Sequence, residues 1–156
     1  MVIIDNALKE FEGNKIDFEI EPKRYYVYAL YQNDSIVYIG QTVHLHSRIA
    51  AHKRDKTFDG YSFVRCKTVE EMDILESELI VRLQPKYNGQ AGNSYISTKR
   101  FRQIIKDMAG ERYNSSMYIN RIREHLVDEG IEIVNFKGSE QFNKKYIDRA
   151  IKKILG

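Results

Sequence analysis

Two strand-like runs separated by a short polar break constrain this chain more than any other feature. Tyr25-Tyr26-Val27-Tyr28-Ala29-Leu30-Tyr31 is rich in the aromatic and β-branched residues that fit a pleated, half-buried surface. Gln32-Asn33-Asp34-Ser35 follows as a polar turn, and Ile36-Val37-Tyr38-Ile39 then ends in Gly40. The pattern predicts an antiparallel hairpin. Side chains alternate along a strand, so register decides which face each tyrosine takes. Pairing Tyr31 with Ser35 sets Tyr28 opposite Tyr38. A slip of one residue sends the two phenols to opposite faces.

The rest of the chain divides around this hairpin. Residues 1–23 read as a lead-in, with a short helix over Ile3 to Phe11 and an alternating strand from Ile16 to Glu21 that Pro22 stops. Thr42 to Arg54 is expected to be helical with Thr42 as its N-cap. Phe58 to Cys66 returns as a strand. Thr68-Val69-Glu70-Glu71 is a capping box that opens a helix running to about Gln84, ended by Pro85. Asn88-Gly89-Gln90-Ala91-Gly92-Asn93 is the best linker, dividing a 24–92 module from a mainly helical region over 93–156. In that region Phe101, Ile104, Ile105 and Met108 mark one amphipathic helix, stopped by Gly110. Ser115-Ser116 caps a second, with Ile119, Ile122 and Leu126 inward. Ile131 to Phe136 reads as a strand, Lys137-Gly138-Ser139 as a turn, and Ile147, Ala150, Ile151 and Ile154 as the apolar stripe of a last helix. The fold class is therefore α/β.

With 42% hydrophobic and 30% charged residues, the composition is that of an ordinary globular domain, and the apolar runs are too short for a membrane span. The first residues lack the basic start and long apolar core of a signal peptide. The single cysteine, Cys66, has no thiol partner, which points to a reducing, cytoplasmic compartment. The net charge of +3 is unevenly spread. Residues 1–92 carry 12 Lys+Arg against 14 Asp+Glu (−2), and residues 93–156 carry 13 against 8 (+5). A basic second half suits a polyanionic partner, although a solvated lysine-rich surface has the same composition.

Some residues stand out chemically. On the helix from Val69 to Gln84, Met72, Leu79, Ile80 and Leu83 all lie within about 60° of Glu76, so Glu76 falls inside the apolar stripe. A carboxylate placed there is costly unless it is paired or holds a metal. A single carboxylate with open water positions suits Mg²⁺, whose remaining partners are substrate phosphates. His44, Arg48 and His52 are spaced i, i+4, i+8 and share a helix face. An arginine that meets phosphate beside a histidine is a reasonable catalytic pair, and equally a plain basic surface. A phenol with its ordinary pKa near ~10 is a poor base unless a cation or an acceptor stands beside it.

In order, these residues resemble the GIY-YIG nuclease superfamily over residues 24–90. Tyr38-Ile39-Gly40 matches the second motif in full. Tyr26-Val27-Tyr28 matches the first, with Tyr26 where glycine is usual and Val27 for isoleucine. Arg48, the His52 found in some members, Glu76 and Asn88 in Pro85-Lys86-Tyr87-Asn88 follow in the expected order. The resemblance implies a three-stranded antiparallel sheet flanked by helices and a metal-dependent DNA endonuclease of phage, mobile-element or restriction type. It implies one Mg²⁺ or Mn²⁺ per active site, bound by Glu76. It gives Tyr28 the task of deprotonating water through His52, Tyr38 that of orienting water or phosphate, Arg48 that of neutralising the phosphorane, and Asn88 that of holding the site in place.

Residues 97–129 have helix-turn-helix spacing and, with the strand, turn and helix after Gly130, weakly resemble an excisionase-type domain. Lys99, Arg100, Arg102, Arg121 and Arg123 are the candidate DNA contacts. The rival reading is a catalytically silent DNA-binding protein or regulator on a nuclease-like fold. Cleavage of branched DNA or of RNA stays open beside the duplex. One centre per chain makes a homodimer one route to a double-strand break.

Overall fold

The structure, a computed structural model, describes residues 24–110 and 114–155. The helix and strand expected before Pro22 lie outside the described residues. The chain is α/β. Its first sheet has three antiparallel strands in the order β2-β1-β3: β1 Tyr25–Gln32, β2 Ser35–Thr42 and β3 Gly60–Cys66. Helix α1 (Leu45–His52) lies between β2 and β3, and α2 (Val69–Leu83) follows β3. A second antiparallel sheet, in the order β4-β6-β5, is built from β4 (Tyr95–Ser97), β5 (Val134–Phe136) and β6 (Ser139–Asn143). Helices α3 (Thr98–Ala109), α4 (Ser115–Asp128) and α5 (Lys144–Leu155) surround it.

The hairpin turn is tighter than the four polar residues suggest. Only Asn33 and Asp34 lie outside the strands, with φ of 50° and 63°. Two successive left-handed residues match the twist of antiparallel strands, and Asn and Asp tolerate that conformation. Asp59 holds the turn by accepting the Asn33 N–H at 2.8 Å. The register differs from both sequence alternatives. Pairing starts with Gln32 opposite Ser35 and Tyr31 opposite Ile36, then jumps to Leu30 opposite Tyr38. Val37 is the extra residue of a β-bulge. Without it, Tyr38 would fall on the Ala29 face. With it, Tyr28 sits opposite Gly40, and both phenols share one face.

Each sheet face has its own cover. Tyr26, Tyr28, Leu30 and Val37 pack with Leu45 and Ile49 of α1. Val27 and Ile39 pack with Met72, Ile80 and Val81 of α2, and this cluster also takes in Ala91, Tyr95 and Phe136. The Gly/Asn-rich stretch 88–93 is therefore packed rather than tethering freely: Asn88 and Ala91 are buried. Gly92, at φ 89°, lies so close to α2 that a Cβ would meet Ser77 Oγ at 2.5 Å. The third core joins Phe101, Ile105, Ile119, Ile122, Leu126, Phe142, Ile147 and Ala150. Met108, expected on that apolar stripe, is 61% exposed.

Helix ends follow side-chain chemistry, with two corrections. Thr42 does not cap α1. The helix starts three residues later, and the Thr42 hydroxyl accepts the His44 N–H at 3.0 Å in a turn ahead of it. The capping role before α4 falls to Asn114, whose Oδ1 accepts the Met117 N–H. The box at α2 is present: Thr68 Oγ1 accepts from Glu71 N at 3.1 Å. Glu71 reaches back one residue further than a standard box, to Lys67 N.

Candidate active site

β1, β2 and α1 bring four of the singled-out side chains together. Tyr28, 1% exposed, points from the middle of β1 toward α1. Its hydroxyl lies 2.7 Å from His52 Nε2 at the end of that helix. The Tyr38 ring closes the group, 4.7 Å from the His52 imidazole and 6.1 Å from the Tyr28 ring. Arg48, one turn before His52 and exposed, interacts with both phenols. His44 does not join them: it is the residue before the first turn of α1, with φ −126°, and is exposed.

Gly40 explains how two phenols fit beside one strand. A Cβ there would stand 2.6 Å from the Tyr28 hydroxyl and 2.7 Å from Tyr38 Cε1. Glycine is the one residue that leaves this space to the rings. Tyr26, two residues before Tyr28 on β1, packs on the same face. The Tyr26 ring meets Phe63 edge-on at 5.6 Å and lies under the Arg65 guanidinium at 5.8 Å.

Asn88 acts on the backbone of β2. Its Oδ1 accepts the Ile39 N–H at 2.9 Å and its Nδ2 donates to the Ile39 carbonyl at 2.8 Å. One residue earlier, the Tyr87 N–H donates to the carbonyl of the bulged Val37 at 2.9 Å. The turn after α2 thus satisfies backbone groups on the outer edge of β2 and fixes Tyr38 between two pinned residues.

Electrostatics set the resting protonation. Burial, and secondarily the Tyr38 phenol, push the Tyr28 pKa up, against the opposing pull of Arg48. Burial, then the charges of Lys56 and Arg48, push His52 down. These shifts favour a neutral phenol and a neutral imidazole at neutral pH, and a phenol that donates to Nε2 requires the tautomer with its single ring proton on Nδ1. Nδ1 lies 3.7 Å from Asp55 Oδ1. Lys56 binds Asp55 at 2.6 Å and stands 4.9 Å over the Tyr38 ring. Lys56 and Asp55 are the members that residue patterns missed. The signal was present for Lys56, which continues the i+4 series of Arg48 and His52.

Glu76 belongs to α2, the helix packed on Val27 and Ile39. It is 9% exposed on the face of α2 that covers the opposite side of the sheet, among Met72, Ser77, Ile80 and Val81. Burial, with Asp73 adding like charge, pushes its pKa up to about 7. Among the described residues no hydrogen bond or ion pair reaches its carboxylate. The tie between the two groups is the end of β2. Gln41, next to Gly40, donates to Asp73 Oδ1 at 2.7 Å, one turn from Glu76. Gln41 Oε1 is buried without a hydrogen-bond partner among the described residues. Among those residues no group of three or more His, Cys, Asp or Glu side chains stands ready to cage an ion. The fit is to a hard cation that keeps several waters, with one carboxylate and a neutral oxygen from the protein.

Of the DNA-contact candidates, Lys99, Arg100, Arg102 and Arg121 are exposed on α3 and α4. Arg123 is committed elsewhere. Its guanidinium forks onto Glu140 of β6, with Nε to Oε1 at 3.2 Å, and also meets Asn120. That bidentate pair ties α4 to the second sheet and removes Arg123 from the free cations.

No family model, curated protein or solved structure matches this chain.

Proposed function

We propose that the protein is a metal-dependent endonuclease that hydrolyses phosphodiester bonds in DNA. The observation that carries this reading is the 2.7 Å bond between the buried Tyr28 hydroxyl and His52 Nε2, with an exposed guanidinium against the same phenol. A neutral phenol alone is too weak a base for water. In this arrangement, water passes a proton to the Tyr28 oxygen while the phenol proton moves to His52 Nε2. Arg48 holds the developing negative charge, first on Tyr28 and then on the phosphorane. Tyr38 orients the phosphate or the attacking water. Glu76, with Gln41 Oε1 as a neutral donor, would hold Mg²⁺ or Mn²⁺. When bound, the ion supplies Lewis-acid stabilisation of the leaving 3′ oxygen.

The basic second half supplies attraction to the polyanion, through Lys99, Arg100, Arg102 and Arg121. The test is plasmid nicking in Mg²⁺ or Mn²⁺, repeated with EDTA and with Glu76→Ala and Tyr28→Phe. Nicking that EDTA abolishes, and that each substitution lowers at least about a hundredfold, is the expected result. A DNA mobility shift without cleavage in either metal refutes catalysis and leaves a binding protein.

A further inference from the structure

The active face of the first sheet continues past the phenols onto β3. This is an outer strand of its sheet, and residues 61–65 are exposed. Register sets Tyr61 opposite Leu30, Phe63 opposite Tyr28 and Arg65 opposite Tyr26. Because side chains alternate, these three share the face of Tyr28. Helix α1 seats Leu45 and Ile49 over β1 and β2, and Tyr61 and Phe63 remain 45% and 47% exposed. The stripe is braced from below. Tyr26 props Phe63 edge-on at 84°, and Arg65 lies over the same Tyr26 ring. The strand itself, GYSFVRC, holds one cation and no acid.

From this geometry we propose that Tyr61, Phe63 and Arg65 form a stacking platform for unpaired nucleotides next to the scissile phosphate. The substrate is then single-stranded or branched DNA. The inference rests on the phosphodiester reading above and names its substrate class. Aromatic faces open to solvent bind bases without regard to sequence, and a neighbouring guanidinium adds a cation for the backbone. Residues two apart on a strand are separated by about 6.8 Å, twice the stacking distance in a duplex, so the two rings suit bases splayed from one strand. Bases inside an intact duplex cannot reach them. Arg48, on the same side of the sheet, continues the positive charge toward the phenols, whereas the Lys56 charge is balanced by Asp55 at 2.6 Å. That charge favours a nucleic-acid strand over a second copy of the chain as the occupant.

The chain contains no tryptophan, so Phe63→Trp introduces one indole as a local reporter. The protein is titrated in EDTA with oligo-dT and with a blunt duplex of equal length. Saturable quenching by oligo-dT, at least about tenfold tighter than by duplex, is expected. In anisotropy titrations with labelled oligo-dT, Tyr61→Ala and Phe63→Ala each weaken binding about tenfold, and Phe63→Tyr restores it. Tyr61→Trp provides a second reporter, and unchanged thermal unfolding shows that each variant is folded. An unquenched indole at both positions, with equal oligo-dT affinity in wild type and Phe63→Ala, overturns the platform. So does a dimer in light scattering, without DNA, that Phe63→Ala dissolves. Quenching without cleavage of plasmid, single-stranded or branched DNA in any metal upholds the platform and removes the nuclease reading. Nicking with an unquenched indole does the reverse.

Discussion

Replacing Glu76 by glutamine removes a charge that its surroundings disfavour. Burial first, and Asp73 second, raise the Glu76 pKa from 4.5 to about 7. A rise of that size corresponds to about 3 kcal/mol between the two protonation states. The sign follows from linkage. A carboxyl group whose folded pKa lies above its unfolded value imposes no penalty below the unfolded pKa, where both states are protonated. The penalty grows as pH rises from 4.5 and is complete above about 7. Glutamine keeps the shape and never ionises. In metal-free buffer, Glu76→Gln is expected to match the wild type at pH 4 and to exceed it by about 3 kcal/mol at pH 8.5. Urea unfolding followed by circular dichroism at the two pH values, in EDTA, measures the difference. Adding Mg²⁺ at pH 8.5 should then raise the wild-type midpoint and leave the variant unmoved. Coincident midpoints at pH 8.5 in EDTA would refute the claim that this carboxylate is a buried charge with no partner among the described residues.

The same linkage makes Mg²⁺ affinity fall about tenfold per pH unit below about 7, measurable by calorimetry, because the ion must displace the Glu76 proton. Gly40→Ala drives a methyl into both phenols, so it should cost about 2 to 4 kcal/mol in thermal unfolding and abolish nicking. Asn88→Ala frees both backbone groups of Ile39 and should cost about 2 kcal/mol, with amide exchange at Ile39 rising in step. His52, held neutral by burial and by the cations beside it, protonates only below the ordinary histidine range. Nicking that is already lost above that range in the presence of saturating metal would argue against His52 as the proton acceptor.

The sequence revealed the elements that local periodicity determines and obscured those that distant partners create. Aromatic and β-branched runs between turn residues identified β1, β2 and β3, capping signals marked α1 and α2, and apolar spacing identified α3, α4 and α5. Strands β4 and β6 escaped. Ser139-Glu140-Gln141-Phe142-Asn143 has one apolar residue, and it becomes a strand by pairing with residues over 40 positions earlier at β4 and with β5. Gln141 is buried there, which no hydropathy pattern signals. Met108 had the right spacing yet lies outside the core that ends with Ile105. Charge alone placed Arg123 among free cations because Glu140, its partner, sits 17 residues away on another element. At the site, spacing put Arg48 and His52 on one helix face but left a plain basic surface equally open; the bond from His52 to Tyr28 depends on how α1 packs against β1. The position of Glu76 was legible as a buried carboxylate, but the sheet face that its helix covers was not, since that depends on tertiary packing.

The bond between Asn88 and Ile39 spans 49 residues, and Val37 waits for Tyr87 in the same way. A ribosome releases the chain from its N-terminus, so the hairpin emerges long before the turn that locks it. The group of Tyr28, Tyr38 and His52 is therefore locked in place only once the chain has run as far as Asn88.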